Sequence, residues 1–204
     1  MIIDQKQFKD HDMSKLVKGA VVPRPIAWVS TVDENGNDNI APFSFFTVAS
    51  MDPITFCFSV ASAKERTNGE KDTLLNIKQT GNFVINIVNE TLANKMYLSS
   101  KPYQFSDDEF DKAGIKKATS NLVKSSRVSE APVSMECELD QIVTVGEGYL
   151  ILGRLVCYHI QDDIRMDNDK VDPEKLNVIG RMAGDYTYIR DFFELPNPRF
   201  DKGD

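Results

Sequence analysis

Lys71, Asp72 and Thr73 stand where a polar stretch gives way to the apolar run Leu74, Leu75 and Ile77. That is the composition of a helix start. The first backbone N–H groups of a helix have no partner and its dipole is positive there, so an anion is welcome. Lys71 adds a full charge and Thr73 a hydroxyl, and Arg24 and Arg66 strengthen the site if folding brings them close. The same residues also fit a surface helix capped by Asp72 with an incidental lysine, and spacing alone leaves both readings open. Other chemistries find less support. The two histidines, His11 and His159, carry no local signature of a serine or cysteine nucleophile. There is no glycine-rich loop of the Walker or dinucleotide type. The acidic stretch at residues 167–172, DNDKVD, lacks the glycine and terminal glutamate of a calcium loop.

A second group is aromatic. Trp28, Phe43, Phe45, Phe46, Phe56 and Phe58 crowd into one part of the chain, and core packing accounts for most of them. The segment Ala41-Pro42-Phe43-Ser44-Phe45-Phe46 is different, because Pro42 removes a ladder donor and Ser44 adds a hydroxyl between the rings. It reads as a bent edge strand, or as backbone facing something other than protein. A flat apolar ring with hydrogen-bonding edges suits such a surface, and a flavin is a ligand of that kind.

The elements that must position these residues are mostly strands. β-branched runs predict strands at 20–22, 26–32, 39–46, 54–60 and 82–88, with Asp33-Glu34-Asn35-Gly36 as the turn of a hairpin. A helix with Asp72 as its N-cap ends at Gly81, and short helices follow at 91–99 and 107–113. Two long strands, 133–145 and 149–160, close on Gly146-Glu147-Gly148. The charged stretch 162–175 reads as a surface loop, 186–190 as a short strand, and the tail with Pro196 and Pro198 as surface. Antiparallel hairpins with few helices predict a mainly β fold, a closed or half-closed barrel, in one domain spanning residues 1–204.

The chain of 204 residues is 41% hydrophobic and 27% charged, an ordinary globular composition. A net charge of −7 argues against nucleic acid or an anionic membrane as partner. Three cysteines, Cys57, Cys137 and Cys157, sit in apolar runs at spacings that suit neither a disulfide framework nor zinc, and read as buried free thiols. With no apolar leader and no stretch long enough to span a bilayer, a cytoplasmic protein is expected.

Six segments in order, RPIAWVSTVDENGNDNIAPFSFF, KDTLLNI, FVINIV, RVSEAPVSMECEL, LGRLVCYHI and VIGRMAGDYTY, resemble the flavin reductase-like proteins, a group that includes flavoredoxin and the reductase components of two-component monooxygenases. The resemblance covers residues 15–192 and leaves 193–204 as a tail. It implies a homodimeric, antiparallel Greek-key split β-barrel that binds FMN noncovalently near the subunit interface. It implies that Ser30, Thr31, Asn39, Ala41, Pro42, Phe43 and Ser44 line the flavin, with Ser59, Lys71, Asp72 and Thr73 toward its phosphate. Arg24 and Trp28 would support that site, and Arg181 would lie near it or at the dimer interface. NADH or NADPH is the implied electron donor, and a monooxygenase a possible partner. Members that reduce free flavin often carry Gly-Asp-His before the penultimate core strand. Here the matching residues are Gly146-Glu147-Gly148, which keeps a flavoredoxin-like electron carrier as the alternative.

Overall fold

The computed structural model describes residues 1–63, 69–103 and 108–195. Strands β1 (Ala27–Val32), β2 (Asp38–Phe43), β3 (Phe46–Met51), β4 (Ile54–Ala61) and β5 (Asn82–Ile87) precede a small pair, β6 (Lys117–Ala118) with β7 (Arg127–Val128). The long strands β8 (Val133–Val145) and β9 (Gly148–Ile160) and a final pair, β10 (Ile179–Arg181) with β11 (Tyr186–Tyr188), complete the set. Seven of them form one antiparallel sheet in the order β2-β1-β5-β8-β9-β4-β3. The two edge strands are thus consecutive in sequence, with only Ser44 and Phe45 between them. Three Cα–Cα steps of about 3.8 Å cannot cross a flat sheet of seven strands about 4.8 Å apart. The sheet therefore curls until its edges meet, and the Ser59 N–H donating to the Phe45 carbonyl at 2.9 Å extends the β3–β4 ladder to the residue that joins the two edges. β2 and β3 do not pair with each other, so the barrel is split there.

Among the described residues, five α-helices decorate this barrel: α1 (Met13–Ala20), α2 (Asp72–Thr80), α3 (Ala93–Ser99), α4 (Glu109–Lys112) and α5 (Pro173–Leu176). Two apolar cores result. Inside the barrel, Phe43, Phe58 and Phe83 stack in tilted and edge-on contacts at 5.1 and 5.4 Å, with Val29, Leu74, Ile77 and Ile151 around them. Outside it, Trp28, Ile40, Met96, Phe110 and Val128 form a second core beneath α3 and α4. β1 divides its side chains between the two, Ala27 and Val29 inward and Trp28 outward, so all six of its residues are buried.

The structure corrects several expectations. Residues 20–22 do not form a strand; they end α1, whose N-cap Asp12 accepts from the Lys15 N–H at 3.1 Å. The strand expected to run to residue 46 stops at Phe43, and β3 follows as a separate, largely exposed strand with a register shift between Val48 and Ser50. In the 33–36 turn only Gly36 has positive φ, while the Asp33 carboxylate accepts from the N–H groups of Asn35 and Asn37, each at 2.8 Å. The stretch read as a loop at 162–175 contains α5 and buries Ile164 in the barrel core. The expected helix at 107–113 begins at Glu109; residue 107, Arg66, Pro196 and Pro198 lie outside the described residues. The cysteines are free, but of the three only Cys137 is fully buried.

Gly153 on β9 is fixed by packing. A Cβ there would lie 2.1 Å from the Phe83 ring, itself fully buried. Gly153→Ala is expected to displace that ring and destabilise the fold by about 1–3 kcal/mol, read as a lower urea midpoint; an unchanged midpoint would show that the ring moves freely.

Candidate functional site

Where β2, the start of α2 and the segment after α3 converge, they enclose a cleft of about 300 Å³. β2 contributes Asn39, Ala41, Pro42 and Phe43, and the helix start contributes Lys71, Asp72 and Thr73. The chain from Ser99 to Tyr103, with Lys101 exposed, forms the opposite wall, and Glu109 forms the floor. A second pocket of about 240 Å³ adjoins it, sharing Pro42 and Ser100 and extending to Ser44, Met96, Arg181 and Tyr186. Together they make one groove along the unpaired edge of β2.

The helix start differs from expectation by one residue. Lys71 is the N-cap, Asp72 is the first helical residue, and the Lys71 side chain makes no capping hydrogen bond among the described residues. Gly81 closes α2 as expected, with φ +70° and its N–H donating to the Ile77 carbonyl at 2.9 Å. Behind the cleft lies a buried polar network. Thr31 Oγ1 and Thr73 Oγ1 donate to Asn39 Oδ1 at 3.3 and 3.1 Å, and Asn76 Nδ2 donates to Thr31 Oγ1 at 3.1 Å. Asn39 Nδ2 in turn donates to Glu109 Oε1 at 2.8 Å. Asn39 is thereby locked by both its amide oxygen and its amide nitrogen, which fixes the middle of the cleft wall.

Other expected residues take different places. Trp28 is fully buried in the outer core, its indole N–H donating to Ser99 Oγ at 2.9 Å, so it braces the cleft from behind. Ser30 is also buried; it donates to the Ser126 carbonyl at 2.5 Å and accepts from Asn86 Nδ2 at 3.1 Å, away from the groove. Both follow from the two-sided burial of β1, which gives neither side chain access to the groove. Ser59 lines neither pocket. Thr31 touches the cleft through Asn39 rather than directly.

Arg24 is a structural hub. Its guanidinium donates to the carbonyls of Lys18, Val21 and Met182, each at 2.8 Å, while Nε reaches Ser44 Oγ at 3.5 Å. It also lies 5.6 Å from the centre of the Phe45 ring. Four of its five donors are engaged by the end of α1, the turn after β10 and the β2–β3 crossing, so its main part is to shape the groove. Arg181 pairs with Arg24 through reciprocal backbone bonds of 2.9 and 3.0 Å and lays its guanidinium on Tyr186, 4.5 Å from the ring centre. Its charge faces the second pocket.

Glu109 was missed by sequence reasoning. It sits in a short acidic helix that reads as surface, yet it is 7% exposed, and its Oε2 accepts no hydrogen bond among the described residues. Burial first, and then the charge of Asp72, push its carboxyl up to about 7. Ser99, Ser100, Lys101 and Tyr103 were also missed, because nothing local marks the segment after α3 as a cleft wall. Glu109 has a checkable consequence. With its folded pKa raised, the folded chain holds a proton that the unfolded chain has released, so this group's contribution falls as pH rises from the usual glutamate range through 7. Glu109→Gln is expected to gain stability over the native chain between pH 5 and pH 8, by on the order of 1–3 kcal/mol, in paired denaturation curves. A difference independent of pH would show that Glu109 ionises normally.

The sequence matches the family described as flavin reductase like domain over residues 19–174. An uncharacterized protein of Aquifex aeolicus is 40% identical over 189 residues, covering 93% of this chain and 95% of its own length. Nitrilotriacetate monooxygenase component B from Bacillus cereus superposes with a TM-score of 0.90 at 27% identity, over 96% of this chain and 98% of that one. The 2-nitrobenzoate 2-nitroreductase NbaA of Pseudomonas fluorescens superposes with a TM-score of 0.86 at 28% identity, over 98% of both chains. A match through most of the sequence, joined to a split barrel shared with both structures over nearly their whole length, places this chain in the flavin reductase like domain family.

Proposed function

We propose that the chain is an oxidoreductase that binds FMN noncovalently in the groove along β2. The observation that carries this reading is the continuity of the groove, from the start of α2 past Pro42 to Ser44 and Arg181. One end offers Lys71, Lys101 and helix N–H groups to a phosphate, and the Thr73 side chain stands beside them. The wall between offers the apolar surfaces of Ala41 and Pro42 to a flat ring. The other end offers the Ser44 hydroxyl and the charge of Arg181 to a polar ring edge. Negative charge in the same cleft opposes an anion, and the Glu109 carboxyl, pushed up to about 7 by burial, carries less of it than an exposed glutamate would.

Bound flavin supplies the hydride or electron chemistry, while the protein supplies placement and polarity. Asn39 is held rigid by Thr31, Thr73 and Glu109 and keeps the wall from yielding. Arg24 holds Ser44 where β2 crosses to β3. NADH or NADPH is the proposed donor and a separate oxygenase a proposed partner, by analogy with the monooxygenase component among the similar structures. A second reading, an electron carrier with little nicotinamide activity, is favoured by Gly148. A Cβ there would lie 3.1 Å from the Val60 carbonyl, so this strand start is built for glycine, whereas NAD(P)H-using relatives are expected to place histidine at the matching position.

The working form is proposed to be a homodimer. α1 buries none of its residues and leaves Leu16 and Val17 about half exposed, and the edge strand β3 leaves Val48 and Met51 uncovered. A second copy of the chain would cover these faces.

Reconstitution tests the reading. Protein mixed with FMN and desalted is expected to retain a flavin absorbance, and Ser44→Leu to weaken FMN binding at least about ten-fold (1.4 kcal/mol) while the melting temperature of the apoprotein changes little. Protein that retains no flavin overturns the proposal. Anaerobic mixing with NADH or NADPH then separates the two activities: fast bleaching identifies a reductase, and no bleaching identifies the carrier.

A further inference from the structure

Outside the groove, Glu136 on β8 and Cys157 and His159 on β9 converge. Cys157 and His159 are two apart on one strand and share a face, and Glu136 pairs with Cys157 in register. Their ligating atoms lie within 4.8 Å of one another, with His159 Nε2 2.5 Å from Glu136 Oε1 and Cys157 Sγ 3.4 Å from His159 Nε2. None of the three lines the groove.

Glu136 is fully buried, yet its carboxylate is held by three backbone N–H groups, Asn121 at 2.7 Å, Leu122 at 2.6 Å and Val123 at 3.1 Å. These contacts already anchor the loop before β7 and fix the orientation of the carboxylate. The Cys157 sulfur adds nothing to that anchor; strand geometry sets it beside the imidazole, with a second donor type next to the first. We propose that Glu136, Cys157 and His159 form a three-ligand site for a borderline divalent transition ion, Zn²⁺ foremost.

The donor set selects the ion. Thiolate and imidazole favour zinc and its neighbours over Mg²⁺ or Ca²⁺, which prefer oxygen ligands. The geometry is close to what zinc needs. Ligand atoms about 2.0–2.3 Å from a tetrahedral ion stand roughly 3.3–3.6 Å apart, so the S···N distance already fits and the O···N distance must open by under about 1 Å, while the sulfur and the carboxylate oxygen lie within 4.8 Å of each other. The backbone N–H groups on Glu136 are the outer contacts that hold a ligand in place. Charge also balances. With the imidazole in its neutral form and its proton on Nε2 toward Glu136, a carboxylate, an imidazole and a thiol carry −1; on binding, the thiol proton leaves to solvent and the imidazole proton moves from Nε2 to Nδ1. One divalent ion then leaves the site neutral, with one proton released per ion. Cys157 and His159 are only partly buried, which gives the ion a path and leaves a fourth position open to water.

Tag-free full-length protein, dialysed against Zn²⁺ and assayed for metal by emission spectroscopy, tests the site. Expected are one zinc per chain and a zinc K-edge spectrum with one sulfur near 2.3 Å and the remaining ligands N or O near 2.0 Å. Cys157→Ser is expected to remove the sulfur signal, and it and His159→Gln to weaken zinc binding at least about ten-fold; glutamine at 159 keeps a donor for Glu136. Cys57→Ser should change nothing. Failure of the native protein to retain zinc, a sulfur-free spectrum, or full retention by both variants overturns the proposal, whatever the outcome of the flavin experiments.

Discussion

Two residues, Ser44 and Phe45, join strands that lie at opposite edges of a seven-stranded sheet, and the architecture answers to that constraint. Chain geometry allows no other solution than a curled sheet whose edges stand side by side. Once the sheet curls, one face becomes the aromatic interior around Phe43, Phe58 and Phe83, and the other must be covered. The segment carrying α3 and α4 covers it, bringing Ser99 to Tyr103 and Glu109 against β2. The groove is thus the seam of the barrel, lined on one side by a strand that had to be left unpaired. Arg24 stands at that seam because three carbonyls from separate segments come within reach of one guanidinium there.

Two buried glutamates show how local donors decide the fate of a charge. Glu136 is fully buried, and burial alone would drive it neutral. Three backbone N–H groups and His159 outweigh that cost and hold its carboxyl below the usual range. Glu109 is nearly as buried but has Asn39 and two main-chain donors on one side, Asp72 on the other, and an oxygen with no partner among the described residues, so its carboxyl moves the opposite way. The former is an ionised anchor for a loop; the latter is a group that can change charge near neutral pH inside a ligand-sized cleft.

Local features of the fold were legible in the sequence. The limits of β8 are legible to the residue and those of β9 to within one, because both strands are long and the turn between them is marked by Gly146 and Gly148. The Gly81 terminus of α2 was legible for the same reason, since a left-handed residue there favours glycine. The segments 39–43 and 71–73 were both singled out, and the fold brings them to one cleft. What failed depended on contacts far apart in sequence. Trp28 and Ser30 look available until the second core on the outer face of β1 is known. β3 lacks an apolar alternation because it is an exposed edge, and a β-branched pair at the end of α1 mimicked a strand. Glu109 and the approach of Glu136 to His159 have no local trace at all, since strand register and helix docking create them.

Pro42 also bears on what the molecule avoids. An edge strand with a full row of N–H and C=O groups is a template on which another chain can add a strand, the first step toward aggregation. β2 is such an edge, and its proline deletes one donor from the row while α3 and α4 crowd against it. The residue that makes one wall of the groove smooth enough for a flat ring therefore also makes that wall a poor partner for a foreign strand. An open seam in a barrel is tolerable in a crowded solution on that condition: it must be able to hold a small ligand without being able to recruit a neighbour.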